Sequence, residues 1–477
     1  MGDSVSTFSW AGRCAAGITA GVLAAGIAVA QQPAVLPPIT VPAVLPSTTE
    51  QAPATPPTTA PPTAPPATPP GQSLFPAPAA TPSPVAAPAA ESVTYPTAKI
   101  SGFFHLDAIY SHQSPLNLRT VGPAQDGLDF RRARIAGVGN LAENITYMLE
   151  FDFAASQARF VDDWVTFSKV PFFGNIRVGR YRQPFGMAEL TSIRELTFLE
   201  RSSSFALAPF RQTGVMWFDT AQDDRVTYAL SGFRYNSDPF GNVYTNIDGY
   251  GLAGRATALP IYEENGSLLH VGADYGYNRA GGTNPIRYSS TPEVFAGDVT
   301  GSVLLPNAHN LPPYVDTGSI VMSDSNLFNL EAAYAYRNFL VQSEARCAVV
   351  RQAAGGTVTL PAFYAHARYV LTGEKIPYSK KNGVFTRVKP DCPVDKGGYG
   401  AWEVAFRWSY IDLNGTNGTI NGEPAPGRSM NVLTLGLNWY LVNNAKFQFN
   451  YIHPILDDPT LGTSNADYFA VRCQIDF

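Results

Sequence analysis

Trp402-Glu-Val-Ala-Phe-Arg-Trp-Ser-Tyr410 decides the fold. Bulky apolar residues take every second position, and Glu403, Ala405, Arg407 and Ser409 fill the gaps. Successive side chains point to opposite faces only in an extended strand, so a period of two predicts one. The pattern returns at 430–441, where Leu433, Leu435, Leu437, Trp439 and Leu441 alternate with Thr434, Gly436, Asn438 and Tyr440. At 445–451, Phe447, Phe449 and Tyr451 alternate with Lys446, Gln448 and Asn450. Upstream, Ile145, Tyr147, Leu149, Phe151 and Phe153 oppose Thr146, Met148, Glu150 and Asp152, and Phe104, Leu106, Ala108 and Tyr110 oppose His105 and Asp107. Leu269, Val271, Ala273, Tyr275 and Tyr277 oppose His270 and Asp274, while Phe363, Ala365, Ala367, Tyr369 and Leu371 oppose His366 and Arg368.

Alternation alone fits a soluble sandwich as well as a membrane barrel. Segment length and the chain's end favour the barrel. Strands of ~9–11 residues suit a tilted bilayer crossing. The expected strands are 100–110, 128–139, 144–154, 159–168, 174–183, 211–219, 224–235, 247–258, 267–278, 325–337, 339–346, 361–372, 400–412, 430–441, 445–453 and 467–477. Sixteen is an even number, as closed antiparallel barrels require. The last segment alternates Phe469, Val471, Cys473, Ile475 and Phe477 with Ala470, Arg472, Gln474 and Asp476, and a final strand ending on Phe resembles the sorting signal of bacterial outer-membrane barrels. The expected fold is therefore all-β: a transmembrane antiparallel β-barrel of about 16 strands.

Composition agrees. Charged residues make up 15% of the 477 and aromatics 12%, against about 25% charged in ordinary soluble chains. The net charge of −5, with no stripe of Lys or Arg, argues against nucleic-acid binding. Residues 1–30 read as a secretory signal, with Arg13 ahead of an Ala- and Gly-rich apolar run and Ala28-Val-Ala30 as the cleavage site. Residues 31–97 hold half of the 40 prolines, carry Glu50 and Glu91 as their only acids, and have no base. Such a segment buries no core, so a disordered, semi-rigid linker is expected, with the cell wall as a contact. The barrel domain is expected at 98–477. No other stretch approaches the ~20 apolar residues of a membrane helix.

Several features point to chemistry and do not carry it. Gly137-Val-Gly-Asn-Leu-Ala142 fits a dinucleotide-binding pattern, but an alternating strand follows where that motif needs a helix. Asp162 and Asp163 are strand neighbours on opposite faces, so they cannot act as an acid–base pair. No Cys/His spacing marks a metal site, and no nucleophile–base motif marks an enzyme; no cofactor is expected. Of Cys347, Cys392 and Cys473, the first two offer one possible disulfide in an oxidising compartment.

A series of stretches resembles the phosphate-selective porin O/P family: Asp129-Phe-Arg-Arg-Ala-Arg-Ile135, Tyr147-Met-Leu-Glu-Phe-Asp-Phe153, Ile176-Arg-Val-Gly-Arg-Tyr-Arg-Gln-Pro-Phe185, Glu189-Leu-Thr-Ser-Ile-Arg-Glu-Leu-Thr-Phe-Leu-Glu-Arg201, Tyr369-Val-Leu-Thr-Gly-Glu374 and Gly383-Val-Phe-Thr-Arg-Val-Lys-Pro390. With Trp402 to Leu413 and Leu435-Gly-Leu-Asn-Trp-Tyr440 they follow the family's order across 98–477. The resemblance implies a homotrimer of outer-membrane barrels, with a loop at 185–210 folded into each pore and ladders of Arg leading small anions such as phosphate through it.

The expected anion-binding residues are Arg131, Arg132 and Arg134, then Arg182, Arg194, Arg201 and Arg211 around the constriction, and Arg255, Arg368 and Arg407 on lumen faces. Guanidinium suits phosphate oxygens through its planar fork. Two features complicate this. Parity puts Arg132 and Arg134 on the face of Phe130, so an inward assignment needs a bulge; and 128–211 carries 11 bases against 9 acids, a thin excess. The basic stretch 375–396 is expected as an external loop. The alternative reading is a structural barrel anchoring the envelope through its Pro-rich arm, with little transport.

Overall fold

A computed structural model gives the fold, and it describes residues 93–154, 158–235, 249–279, 281, 285–295, 311–415, 419–420, 423–424 and 427–477. The expected signal, 1–30, and nearly all of the Pro-rich linker lie outside the described residues.

Sixteen antiparallel strands close on themselves. They are Lys99–Gln113 (β1), Gly127–Ala142 (β2), Ile145–Asp152 (β3), Arg159–Val170 (β4), Gly174–Arg182 (β5), Arg211–Ala221 (β6), Val226–Arg234 (β7) and Tyr250–Tyr262 (β8). The second half is Ser267–Arg279 (β9), Met322–Tyr336 (β10), Phe339–Gln352 (β11), Thr357–Val370 (β12), Ala401–Asp412 (β13), Ser429–Val442 (β14), Ala445–Asp458 (β15) and Gly462–Asp476 (β16). Each pairs with its neighbour in sequence, and β16 pairs back with β1, where Gly102 and Phe477 exchange both backbone hydrogen bonds at 2.9 Å. Closure leaves no edge, the condition for crossing lipid with strands. Among the described residues no helix is long and apolar enough to cross.

The alternation sorts as its chemistry dictates. Val404, Phe406 and Trp408 stand on the outside, while Glu403, Arg407, Gln448 and Asn450 are buried inside. Trp402 and Trp439 stack at 5.1 Å on the outer face, and Trp439 continues onto Phe447 at 6.1 Å. Gly137 to Ala142 is the end of β2, and a two-residue turn leads straight into β3. The described cysteines are free thiols, so Cys347 and Cys392 are not bridged.

Strand direction alternates, so the connections separate into two ends. At the end that holds Phe477, the links 143–144, 171–173, 222–225, 263–266, 337–338 and 443–444 run to two to four residues. The other end carries the long links 183–210 and 280–321. Short turns mark the periplasmic end of such barrels. The link 371–400 lies at that same end, which corrects the expectation of an external loop there. Its basic composition suggested the mouth; the strand count puts it at the inner exit. It turns up into the lumen, where Arg255 on β8 donates to the carbonyls of Asn382 and Gly383 at 3.2 and 2.8 Å, and the Tyr378 hydroxyl meets His270 at 2.7 Å.

Candidate functional site: an arginine-lined passage

The 183–210 segment leaves β5 at the outer end and folds into the barrel, as expected. The turn needs Gly186, at φ +79°; a Cβ there would lie 1.8 Å from Glu189 Oε2. The turn opens a short helix, Met187–Leu190 (α1), which presents Glu189 to Arg346 on β11 through two contacts of 2.5 Å. Beyond it the backbone crosses the lumen with little structure of its own, so its polar groups need partners from the wall. They find them on β13–β16. Arg407 donates to the Glu200 carbonyl at 2.9 Å and Asn438 to Thr197 at 2.8 Å. Lys446 and Gln448 donate to Leu196 at 3.0 and 3.1 Å, and Gln474 to Arg194 at 3.0 Å. Arg472 donates to Leu199. The loop is tied to the wall of the second half, which leaves the space beside β2–β6.

That space is a cavity of about 1150 Å³, lined among the described residues by eight arginines (131, 132, 134, 159, 180, 201, 211 and 287) against Asp152, Glu200 and Glu293. A bulge in β2 brings the first three together. His105 pairs with Arg132 but Leu106 with Phe130, so Arg131 is an extra residue in the strand. Phe130 stays outside, edge to face with Phe104, and the phase shifts so that Arg131, Arg132 and Arg134 all face inward. Arg131 and Arg132 reach Glu200 at 3.0 and 2.8 Å, and Arg472 reaches it at 2.9 Å. Burial alone would raise the Glu200 carboxyl, but Arg131, Arg132 and Arg472 hold it well below the usual range. Arg134 pairs with Asp152 at 2.8 Å and with Glu150 at 3.5 Å. Arg211 and Arg182 share Asp162 at 2.8 and 4.0 Å. Arg201 has no carboxylate at ion-pair distance among the described residues. It donates to the carbonyls of Ala188, Glu189 and Thr191, and burial, with Arg182 beside it, drives its affinity for the proton well down.

The model of the phosphate-selective porin O and P family matches residues 110–477. The chain belongs to that family. Porin O of Pseudomonas aeruginosa is 27% identical over 386 residues, covering 75% of this chain and 83% of its own. An uncharacterized protein of Caulobacter vibrioides is 27% identical over 341 residues, 68% of this chain but only 62% of the relative, under two thirds of its length. Solved structures with a similar barrel include an anion-selective porin from Comamonas acidovorans, 12% identical with TM-score 0.47, covering 80% of this chain and 99% of that one. The in-vitro folded outer membrane protein OmpT of Vibrio cholerae is 9% identical with TM-score 0.48, covering 81% and 100%. As a family member the chain is a porin of the bacterial outer membrane, and its outward aromatics face lipid.

The porin places its expected residues in two groups. Arg131, Arg132, Arg134, Arg182, Arg201 and Arg211 gather around the cavity and the inward loop. Arg255, Arg368 and Arg407 lie on the lumen wall, each held by a carboxylate: Glu331 at 2.8 Å, Glu403 at 3.3 Å and Glu293 at 2.5 Å respectively. Arg255 and Arg407 also fix inward segments through backbone carbonyls. Arg194 lays its guanidinium over the Phe103 ring at 5.5 Å, beside the constriction. Sequence reasoning passed over Arg159, Arg180 and Arg287. The first two were visible as bases at the mouths of expected strands. Arg287 sits in the long 280–321 link, where periodicity offers no signal. Glu293 was equally hidden. It accepts from the Ser203 amide at 2.7 Å as well as from Arg407, joining the two inward loops to the wall.

Proposed function

We propose that this porin conducts small anions, phosphate among them, along the arginine-lined side of the inward loop. One observation carries the reading. Six guanidiniums (Arg131, Arg132, Arg134, Arg159, Arg182 and Arg211) share four carboxylates (Glu150, Asp152, Asp162 and Glu200), and Arg201 beside them is bound to backbone carbonyls alone. The chain as a whole is acidic, but an ion responds to charges within about a Debye length, ~8 Å at physiological salt. A surplus of fixed positive charge at one level of the pore is what anion passage needs, and shared rather than single pairs keep each site shallow enough to leave. The functional unit is a homotrimer, behind a leader at 1–30 and a Pro-rich spacer at 31–97 that reaches the cell wall.

The test is a planar-bilayer recording of the full-length mature porin. A reversal potential in a KCl gradient on the anion side, with phosphate reducing the chloride current, supports the reading. A cation-side potential with no effect of phosphate rejects it.

A further inference from the structure

The arginine-lined cavity holds a second chemistry that bare phosphate does not use. Its volume of about 1150 Å³ exceeds the ~300–1,000 Å³ of sites for drug-sized ligands. A water molecule's share of liquid is ~30 Å³, and an inorganic oxyanion takes the room of only a few. Rings are set among the cations. The Arg131 guanidinium lies 4.0 Å from the centre of Phe295, and that of Arg211 lies 4.6 Å from Phe210. Arg201 lies 5.2 Å from Phe210 and 5.4 Å from Phe205. Phe205 and Phe210 themselves meet edge to face at 4.7 Å. Stacked this way, the planar cations are held in place by ring faces rather than by more carboxylates, so the wall stays positive and apolar at once.

Such a wall gives an inorganic ion its charge complement and nothing more. A solute with a ring beside its charged group gains apolar contact as well. We propose that the cavity selects aromatic organic anions, with aryl phosphates as the type, over inorganic phosphate. The inference rests on the anion reading above and names its substrate class. Phe205, Phe210 and Phe295 take the ring, while Arg131, Arg132 and Arg201 face the anionic end.

The test is block of the chloride current through the full-length porin by a graded series: inorganic phosphate, butyl phosphate, phenyl phosphate and uncharged benzyl alcohol. Partial burial of one ring is worth about tenfold in affinity, so phenyl phosphate should block at about one tenth the concentration of inorganic phosphate. Butyl phosphate should fall between, and benzyl alcohol should not block. In Phe205→Ala and Phe295→Ala, the preference for phenyl over inorganic phosphate, read as the ratio of their blocking concentrations in the same variant, should shrink to within about twofold. Equal block by inorganic and phenyl phosphate in the unaltered porin overturns the inference and leaves the anion reading standing. A phenyl preference untouched by both substitutions overturns the assignment to these rings. Absence of block by every anion overturns both readings.

Discussion

Glu189 and Arg346 face each other through both oxygens and both terminal nitrogens, and neither side chain keeps more than 2% of its exposure. The pair joins the first turn of the inward loop to β11, on the opposite half of the chain. Glu344 and Asn329 complete the network around the same guanidinium, at 2.6 and 3.1 Å. Removing one partner leaves a buried charge without compensation, at a cost of about 3–5 kcal/mol.

Arg346→Met should therefore free the loop. Single-channel conductance should rise, by about half or more, with flickering steps, and the folded barrel should unfold at lower temperature on a gel-shift assay. The double change Glu189→Gln with Arg346→Met removes one of the two carboxylates that Arg346 holds, leaves Glu344, and should recover part of the thermal stability. Unchanged conductance and gel-shift temperature in Arg346→Met would show that the clamp does not set the aperture.

Arg132→Gln with Arg134→Gln should move the reversal potential toward the cation side and weaken phosphate block several-fold. Glu200 and Asp152 would each lose a partner, and the net charge at that level of the pore falls by up to two. The same neutralisation at Lys380 and Lys381 should matter less. These sit in the periplasmic link 371–400, with Lys380 over the Tyr262 ring at 5.2 Å, away from the cavity. The reverse ranking would put the filter at the periplasmic end.

Acid should sharpen anion preference. Burial raises the Glu195 carboxyl, and Arg387, Arg194, Lys446 and Arg182 pull the other way without cancelling it. Its charge is lost on acidification above the ordinary carboxylate range (~4.3), while Glu200 keeps its charge well below that range. The constriction thus gains net positive charge as pH falls toward the ordinary carboxylate range. Reversal potentials between pH 7.5 and 5 should drift to the anion side by a few millivolts, and Glu195→Gln should show the shifted value throughout. Drift of equal size in that variant would assign it to another group, Glu189 first, whose carboxyl burial also raises.

Phe477→Ser should lower the amount of assembled barrel in the outer membrane several-fold and leave the conductance of the remainder unaltered. The backbone of Phe477 closes the seam with Gly102, but its ring stands outside and lines nothing in the pore. Equal outer-membrane levels on immunoblotting would separate the terminal ring from assembly.

The barrel was legible because a period of two is local: Trp402 to Tyr410 states its own orientation residue by residue. The loop at 185–210 was legible from family resemblance. The phase of Arg131, Arg132 and Arg134 was not, because one extra residue reverses every assignment on one side of it, and the hydrogen-bond ladder alone shows where that residue sits. Glu293 stayed hidden for another reason. Its partners Ser203 and Arg407 are far from it in sequence, and only closure of the wall brings them together. The periplasmic position of 375–396 needed a correct strand parity, which composition does not supply.

The ties between the inward loop and β13–β16 also bear on how the molecule is made. The carbonyl of Arg194, contributed by the first half of the chain, is held by Gln474, three residues from the end. Leu199 is held by Arg472 in the same final strand. A nascent chain halted after β15 would possess most of its wall and lack the ties from Arg472 and Gln474 to the loop. The strand that seals the cylinder is thus also the one that completes the hold on the inward loop.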